Sequence, residues 1–224
     1  MMEEHWQEWL ALTFFIVCWF GYAYYSGHEA RTTPHLMGAT NSLRLRWMRE
    51  MLGRENRSLD AIMVGNLARS FTFFASTSMF ILAALVSTLG YRDRVNDIIH
   101  EIPYTKLNDP FIWQIKIFTL IIIFIYAFFK HTWSMRQYNY VCMFIAAAPD
   151  YRERKDEHEA IAQKGALLTS NAARHFGNGL RAYYYGLATL AWFLHPYAFM
   201  TATALVVYVT YRREFRSATL KHLS

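Results

Sequence analysis

"NLARSFTFFASTSMFILAALVSTLG", residues 66–90, is long enough to cross a bilayer. It nevertheless opens with Asn66 and Arg69 and carries Ser and Thr through its middle. At about 100° per residue, Arg69, Thr72, Ser76, Met79, Ala83 and Ser87 form one stripe down a helix. Asn66, Ser70, Thr77, Ala84 and Thr88 form a second, about a quarter turn or more away. Phe71, Phe74, Leu82, Leu85 and Leu89 occupy the other side, which is expected to meet acyl chains. A helix surrounded by lipid gains nothing from hydroxyls, so the polar half is expected against protein or water. Two explanations fit. Small residues let helices approach, and interhelical Ser or Thr hydrogen bonds add ~1 kcal/mol. Alternatively the hydroxyls line a hydrated path with Arg69 and Asn66 at its cytoplasmic mouth, since arginine beside a span is costly and often functional.

The rest of the chain places this segment in a membrane bundle. The sequence is 54% hydrophobic and its charges fall in blocks, leaving apolar runs of about twenty residues, the length a ~30 Å hydrocarbon core requires. The expectation is an all-α polytopic bundle forming one membrane domain over 1–224. Its spans lie at about 9–25, 68–90, 111–130, 180–194 and 196–211, with cytoplasmic amphipathic helices at about 41–63 and 154–176. Trp6, Trp9, Tyr22, Tyr24 and Tyr25 flank the first span as interfacial anchors. The acidic start "MMEEHWQEWL" is unlike a secretory n-region, so that span is expected to be retained. Lys116, one turn inside the third span, is expected to snorkel to headgroups. "GNG" at 177–179 is expected to break the chain before the fourth span.

His195-Pro196 divides the run from 180 to 211, because proline disfavours helical geometry before it and suits the first turn after it. Two spans meeting there make five; a single kinked helix makes four. Charge arbitrates. With five spans and the N-terminus outside, seventeen of the 23 Lys and Arg lie on inner segments, against three in an outer loop at 91–110. The same distribution assigns the net charge of +6 to the positive-inside bias rather than to nucleic-acid binding.

A polar group is expected on the inner side. Arg174 and Asn171 recur at helical spacing with Arg181 beyond them, and Arg136 lies on the preceding helix. Such donors suit an anionic lipid headgroup, phosphate or carboxylate; a basic junction at the bilayer surface accounts for them equally. The two cysteines, Cys18 and Cys142, support neither a disulfide framework nor a zinc site. His28 and His35 lack a clustered carboxylate. No metal, cofactor or catalytic motif is expected, although Asn171, Arg174 and Arg181 leave a lipid-acting enzyme open.

The segments "RWMREMLGRENRSLDA" (46–61), "NLARSFTFFASTS" (66–78), "WSMRQYNY" (133–140) with "AAAP" (146–149), "NAARHFGNGLRAYYY" (171–185), and "WFLHP" (192–196) with "YRREF" (211–215) occur in this order. Together they resemble the domain-of-unknown-function family 599, membrane proteins of bacteria and plants. The resemblance implies several membrane helices and carries no activity or site residue with it. The expected setting is the bacterial inner (plasma) membrane.

Two functions follow. One is a homo-oligomeric channel or small permease whose second span lines the path through Asn66, Arg69, Thr72, Ser76, Thr77, Ala83 and Ser87. Arginine at the mouth and spans without Asp or Glu favour anions. The alternative is a non-transporting accessory or scaffold subunit of a membrane complex that binds anionic lipid.

Overall fold

The computed structural model describes residues 5–29, 33–90, 110–152 and 155–223; the side chains of 155 and 156 are not included. The expected outer loop at 91–110 therefore lies, except for Pro110, outside the described residues. The helices are α1 (Trp6–Glu29), α2 (Leu36–Leu52), α3 (Ser58–Gly90), α4 (Pro110–Ala146), α5 (Lys155–Leu190), α6 (Pro196–Phe215) and α7 (Ala218–Leu223), with a short 3-10 turn at Ala191–Phe193. The described residues contain no strand, and the architecture is an all-α bundle. Three helices, α1, α3 and α4, are long and apolar enough to cross a membrane. α5 and α6, expected to supply the fourth and fifth spans, do not meet that measure. α6 dilutes its Val and Leu with Tyr197, Thr201, Thr203, Tyr208 and Thr210.

The 33 residues of α3 and 37 of α4 are about 50 and 55 Å long at ~1.5 Å per residue, well beyond a ~30 Å hydrocarbon core. Their surplus builds a polar-ended layer below the apolar one. Contacts fix the directions. Phe71 meets Tyr138 and Phe74 meets His131, so α3 and α4 are antiparallel. Ser134 Oγ donates to the Ala172 carbonyl at 2.7 Å while Gly179 lies at His131, so α4 and α5 are antiparallel too. Phe15 on Phe199 and Tyr25 on Tyr211 make α1 and α6 parallel.

Two cores result. The apolar layer closes around Ala11, Phe15, Ile123, Ala182, Tyr185, Trp192 and Phe199. Its ring contacts include Trp19 stacked on Tyr185 at 4.7 Å and Trp192 on Phe199 at 4.7 Å. The second core gathers Met48, Met51 and Leu52 of α2, Val64 and Phe71 of α3, Tyr138, Val141 and Ile145 of α4, and Ala162, Ala166 and Ala172 of α5.

The cytoplasmic helix expected at 41–63 is two pieces: α2 ends at Leu52 and residues 58–63 begin α3. The Gly53 N–H closes α2 on the Glu50 and Met51 carbonyls, and Asn56 Oδ1 accepts from the Ser58 N–H at 2.9 Å to open α3. Between them Arg57 donates to the carbonyls of Ala148 (2.8 Å) and Pro149 (2.6 Å), covering groups that the end of α4 leaves unpaired. The helix expected at 154–176 continues instead to Leu190, through 177–179. A helix tolerates glycine where a neighbouring chain must approach closely, and α5 offers α4 a seam of Gly165, Ala172, Gly179 and Gly186. The break falls at His195-Pro196. His195 is extended, its Nδ1 accepts from the Tyr197 N–H at 3.2 Å, and Pro196 opens α6.

Candidate functional site

Phe71 decides how α3 sits. Its ring is buried, with centroids 4.8 Å from Tyr138 and 4.5 Å from Phe176. Ala75 and Ser78 follow on the same side. The Ser78 hydroxyl is fully buried, 2.9 Å from both the Phe74 carbonyl and the Tyr183 hydroxyl. The phenylalanine side, expected in lipid, is thus the packed side of the protomer. Apolar packing and lipid exposure demand the same residues, and a sequence period cannot separate them.

The polar half of α3 turns outward. Asn66, Arg69, Thr72, Ser76, Ala83 and Ser87 are exposed on the single chain and Thr77 is half-buried. The stripe of small and hydroxyl residues is therefore real as a face, and the described residues leave it uncovered. The Thr72 hydroxyl bonds its own helix at Ala68 (3.0 Å) and reaches Met135 Sδ at 3.2 Å. Thr77 bonds the Phe73 carbonyl at 2.8 Å, and Ser70 reaches the Asn66 carbonyl at 3.4 Å.

The inner polar group does not converge as expected. Arg136, Asn171 and Arg174 are exposed, whereas Arg181 is committed elsewhere. Its guanidinium donates to Glu214 Oε1 at 2.6 Å and lies 5.1 Å over the Tyr22 ring, whose hydroxyl donates to Glu214 Oε2 at 2.6 Å. Helical spacing aligned Arg181 with Asn171 and Arg174; a carboxylate 33 residues further along claims it. Arg181 ties α1, α5 and α6 together, and Arg136, Asn171 and Arg174 remain open to an anion.

Two buried polar arrangements have no counterpart in the sequence reading. Lys116, expected at the headgroups, is 5% exposed. Its ammonium donates to Glu8 Oε1 at 3.2 Å and to the Trp192 carbonyl at 3.0 Å, and the Trp192 indole N–H donates to Glu8 Oε2. Snorkelling fails because α1 brings a carboxylate to the lysine inside the bundle, and a paired charge need not seek water. The group joins the starts of α1 and α4 to the turn after α5. The other arrangement is His131, fully buried among Phe74, Phe176 and Tyr183, with neither ring nitrogen hydrogen-bonded. The one available sequence signal was that Lys116 and His131 sit on α4, a helix apolar on every side.

A buried carboxylate on α3 joins α2 to it. Asp60, fully buried, accepts from Trp47 Nε1 at 2.6 Å and Arg54 at 2.7 Å. Nearby Arg49 forks onto Glu159 of α5 at 2.8 and 2.6 Å. Among the described residues, no three His, Cys, Asp or Glu side chains come together as metal ligands.

The family described as "Protein of unknown function, DUF599" matches residues 10–219. No curated protein and no solved structure matches the chain.

Proposed function

This chain belongs to the DUF599 family of proteins of unknown function, and from that premise we propose that it is a homo-oligomeric channel or small permease of the bacterial inner membrane. The observation that carries the proposal is the bare polar face of α3. α3 leans on α4 with Phe71, Phe74, Ala75 and Ser78 and holds Arg69, Ser76, Ala83 and Ser87 away from its own bundle, with Phe73 and Phe80 exposed beside them. In lipid those hydroxyls gain nothing, whereas copies arranged with α3 inward turn them toward a shared axis. The path runs between protomers. Arg69 is exposed at its basic end and gives an anion preference. The N-terminus is outside and the C-terminus inside. This orientation puts Arg44, Arg46, Arg49, Arg54, Arg57, Arg174, Arg212 and Arg213 on the cytoplasmic side. Catalysis has no part in this proposal.

Anion flux from vesicles reconstituted with the purified protein tests it. Arg69→Glu should reduce chloride or nitrate flux and shift selectivity toward cations while the oligomer stays intact. Unchanged flux with an intact assembly removes Arg69 as the gate.

A second reading, an accessory or scaffold subunit that binds anionic lipid, is favoured by the bonds of Thr72, Thr77 and Ser70 to their own backbone. Hydroxyls satisfied in this way pack without water. Purification as a monomer held among other proteins, rather than as a symmetric homo-oligomer, selects this reading.

A further inference from the structure

We propose that a groove on the outer side of α4, closed at its inner end by α5, binds an anionic phospholipid. An acyl chain lies along Ile122, Ile125 and Phe129, and the phosphate sits at Lys130 beside Trp133 and His175. The site is separate from the α3 face and holds whether or not the assembly conducts.

The wall of the groove is bare and apolar: Ile122 is 67% and Phe129 64% exposed. These residues recur at helical spacing, so they form a continuous strip about 10 Å long at ~1.5 Å per residue, room for the headgroup-proximal half of an acyl chain, rather than scattered surface. Polarity changes abruptly at its end, where Phe129 is followed by Lys130, the depth at which a phosphate meets a buried chain. Lys130 is half-buried. Its ammonium lies 5.2 Å over the Tyr126 ring, which holds the charge at the mouth of the groove. Trp133, an amphipathic ring suited to the headgroup layer, stands edge-on to His175 at 6.4 Å.

His175 supplies the recognition. It lines the groove, and its Nδ1 is buried without a hydrogen-bond partner. Burial, then the charges of Lys130 and Arg174, hold its imidazole below the usual histidine range. The mouth is therefore electropositive, and among the described residues no acidic side chain lines the groove. A neutral imidazole still offers one N–H to a phosphate oxygen. A lipid with a net negative headgroup satisfies this field. The choline of a zwitterionic lipid brings a positive charge toward Lys130 and Arg174 and is disfavoured.

The experiment uses full-length protein in phosphatidylcholine vesicles doped with acyl-brominated phosphatidylglycerol or acyl-brominated phosphatidylcholine. Fluorescence of the wild type minus that of Trp133→Phe isolates Trp133 among the seven tryptophans. Brominated phosphatidylglycerol should quench Trp133 with an apparent affinity about fivefold higher, the factor that one lysine near an anionic surface contributes. Lys130→Glu should abolish the preference, and Lys130→Gln, the milder change if the first fails to fold, should reduce it. Arg69→Glu should leave it unaltered, and added inorganic phosphate should not compete. Equal quenching by the two lipids overturns the proposal, as does a preference that survives in the Lys130 variants. Loss of preference in Arg69→Glu points to diffuse surface charge and overturns the site. Competition by inorganic phosphate replaces the lipid with a free anion and overturns the assignment.

Discussion

Gly179 of α5 lies against the imidazole of His131 on α4, so close that a Cβ on Gly179 would stand 2.6 Å from the His131 Cε1. Phe74, Phe176 and Tyr183 enclose that imidazole on its other sides, and the ring has nowhere to retreat. Gly179→Ala should therefore cost about 1–3 kcal/mol, the usual price of overpacking. A thermal unfolding scan in detergent should show the loss, and His131→Ala in the same chain should restore much of it. A Gly179→Ala protein as stable as the wild type would mean that α4 and α5 are not in this register.

Glu8 and Lys116, 108 residues apart, form an ion pair with both side chains about 95% buried. Lys116→Met leaves a buried carboxylate with the indole N–H as its remaining partner in the group, at a cost of about 3–5 kcal/mol. Adding Glu8→Gln should regain most of that loss, because the neutral pair carries no charge to desolvate. Comparison of the single and double variants by thermal unfolding checks the coupling. Additive effects would show that the two side chains act independently.

Ser76 is exposed on the single chain. Ser76→Leu should leave the protomer folded, with unchanged helical content, and should reduce the oligomer on size-exclusion chromatography with light scattering. An unchanged oligomer together with free labelling of Ser76 by lipid-soluble probes would place this face in lipid.

Glu159 and Arg49 hold α2 to α5. The bond from Arg49, then that from Gln163, holds the Glu159 carboxyl below its ordinary value of 4.5. A carboxyl depressed in the folded state stabilises it above the unfolded-state value, and the contribution fades as pH falls toward the folded-state value. The melting temperature of the wild type should exceed that of Glu159→Gln near neutrality. The gap should close below pH 4.5. The effect is small because both side chains are about half exposed. A gap that widens in acid would contradict the pairing.

Much of the architecture is local and therefore legible in the sequence. Apolar runs set α1, α3 and α4, because helix length and hydropathy depend only on neighbours along the chain. Pro196 ends one helix and begins another through its own ring geometry. Glycine is less legible: "GNG" looks like a break in isolation, yet Gly179 is a notch that His131 fills. The sign of such a glycine depends on what faces it. The stripe on α3 was visible as a stripe, but its direction was not. Phe71 suits lipid and protein alike, and only its contact with Tyr138 and Phe176 decides between them.

The sequence by itself determined that this is an all-helical membrane protein with a polar face on its second long helix and basic residues gathered at one end, since periodicity, length and charge are properties of short segments. Only the tertiary structure decided that Lys116 is paired with Glu8, that Arg181 is engaged by Glu214 rather than open to an anion, and that the hydroxyl face of α3 is left uncovered. Each of these depends on which distant side chain arrives at the same point in space, and a buried charge or hydroxyl takes its meaning from that partner.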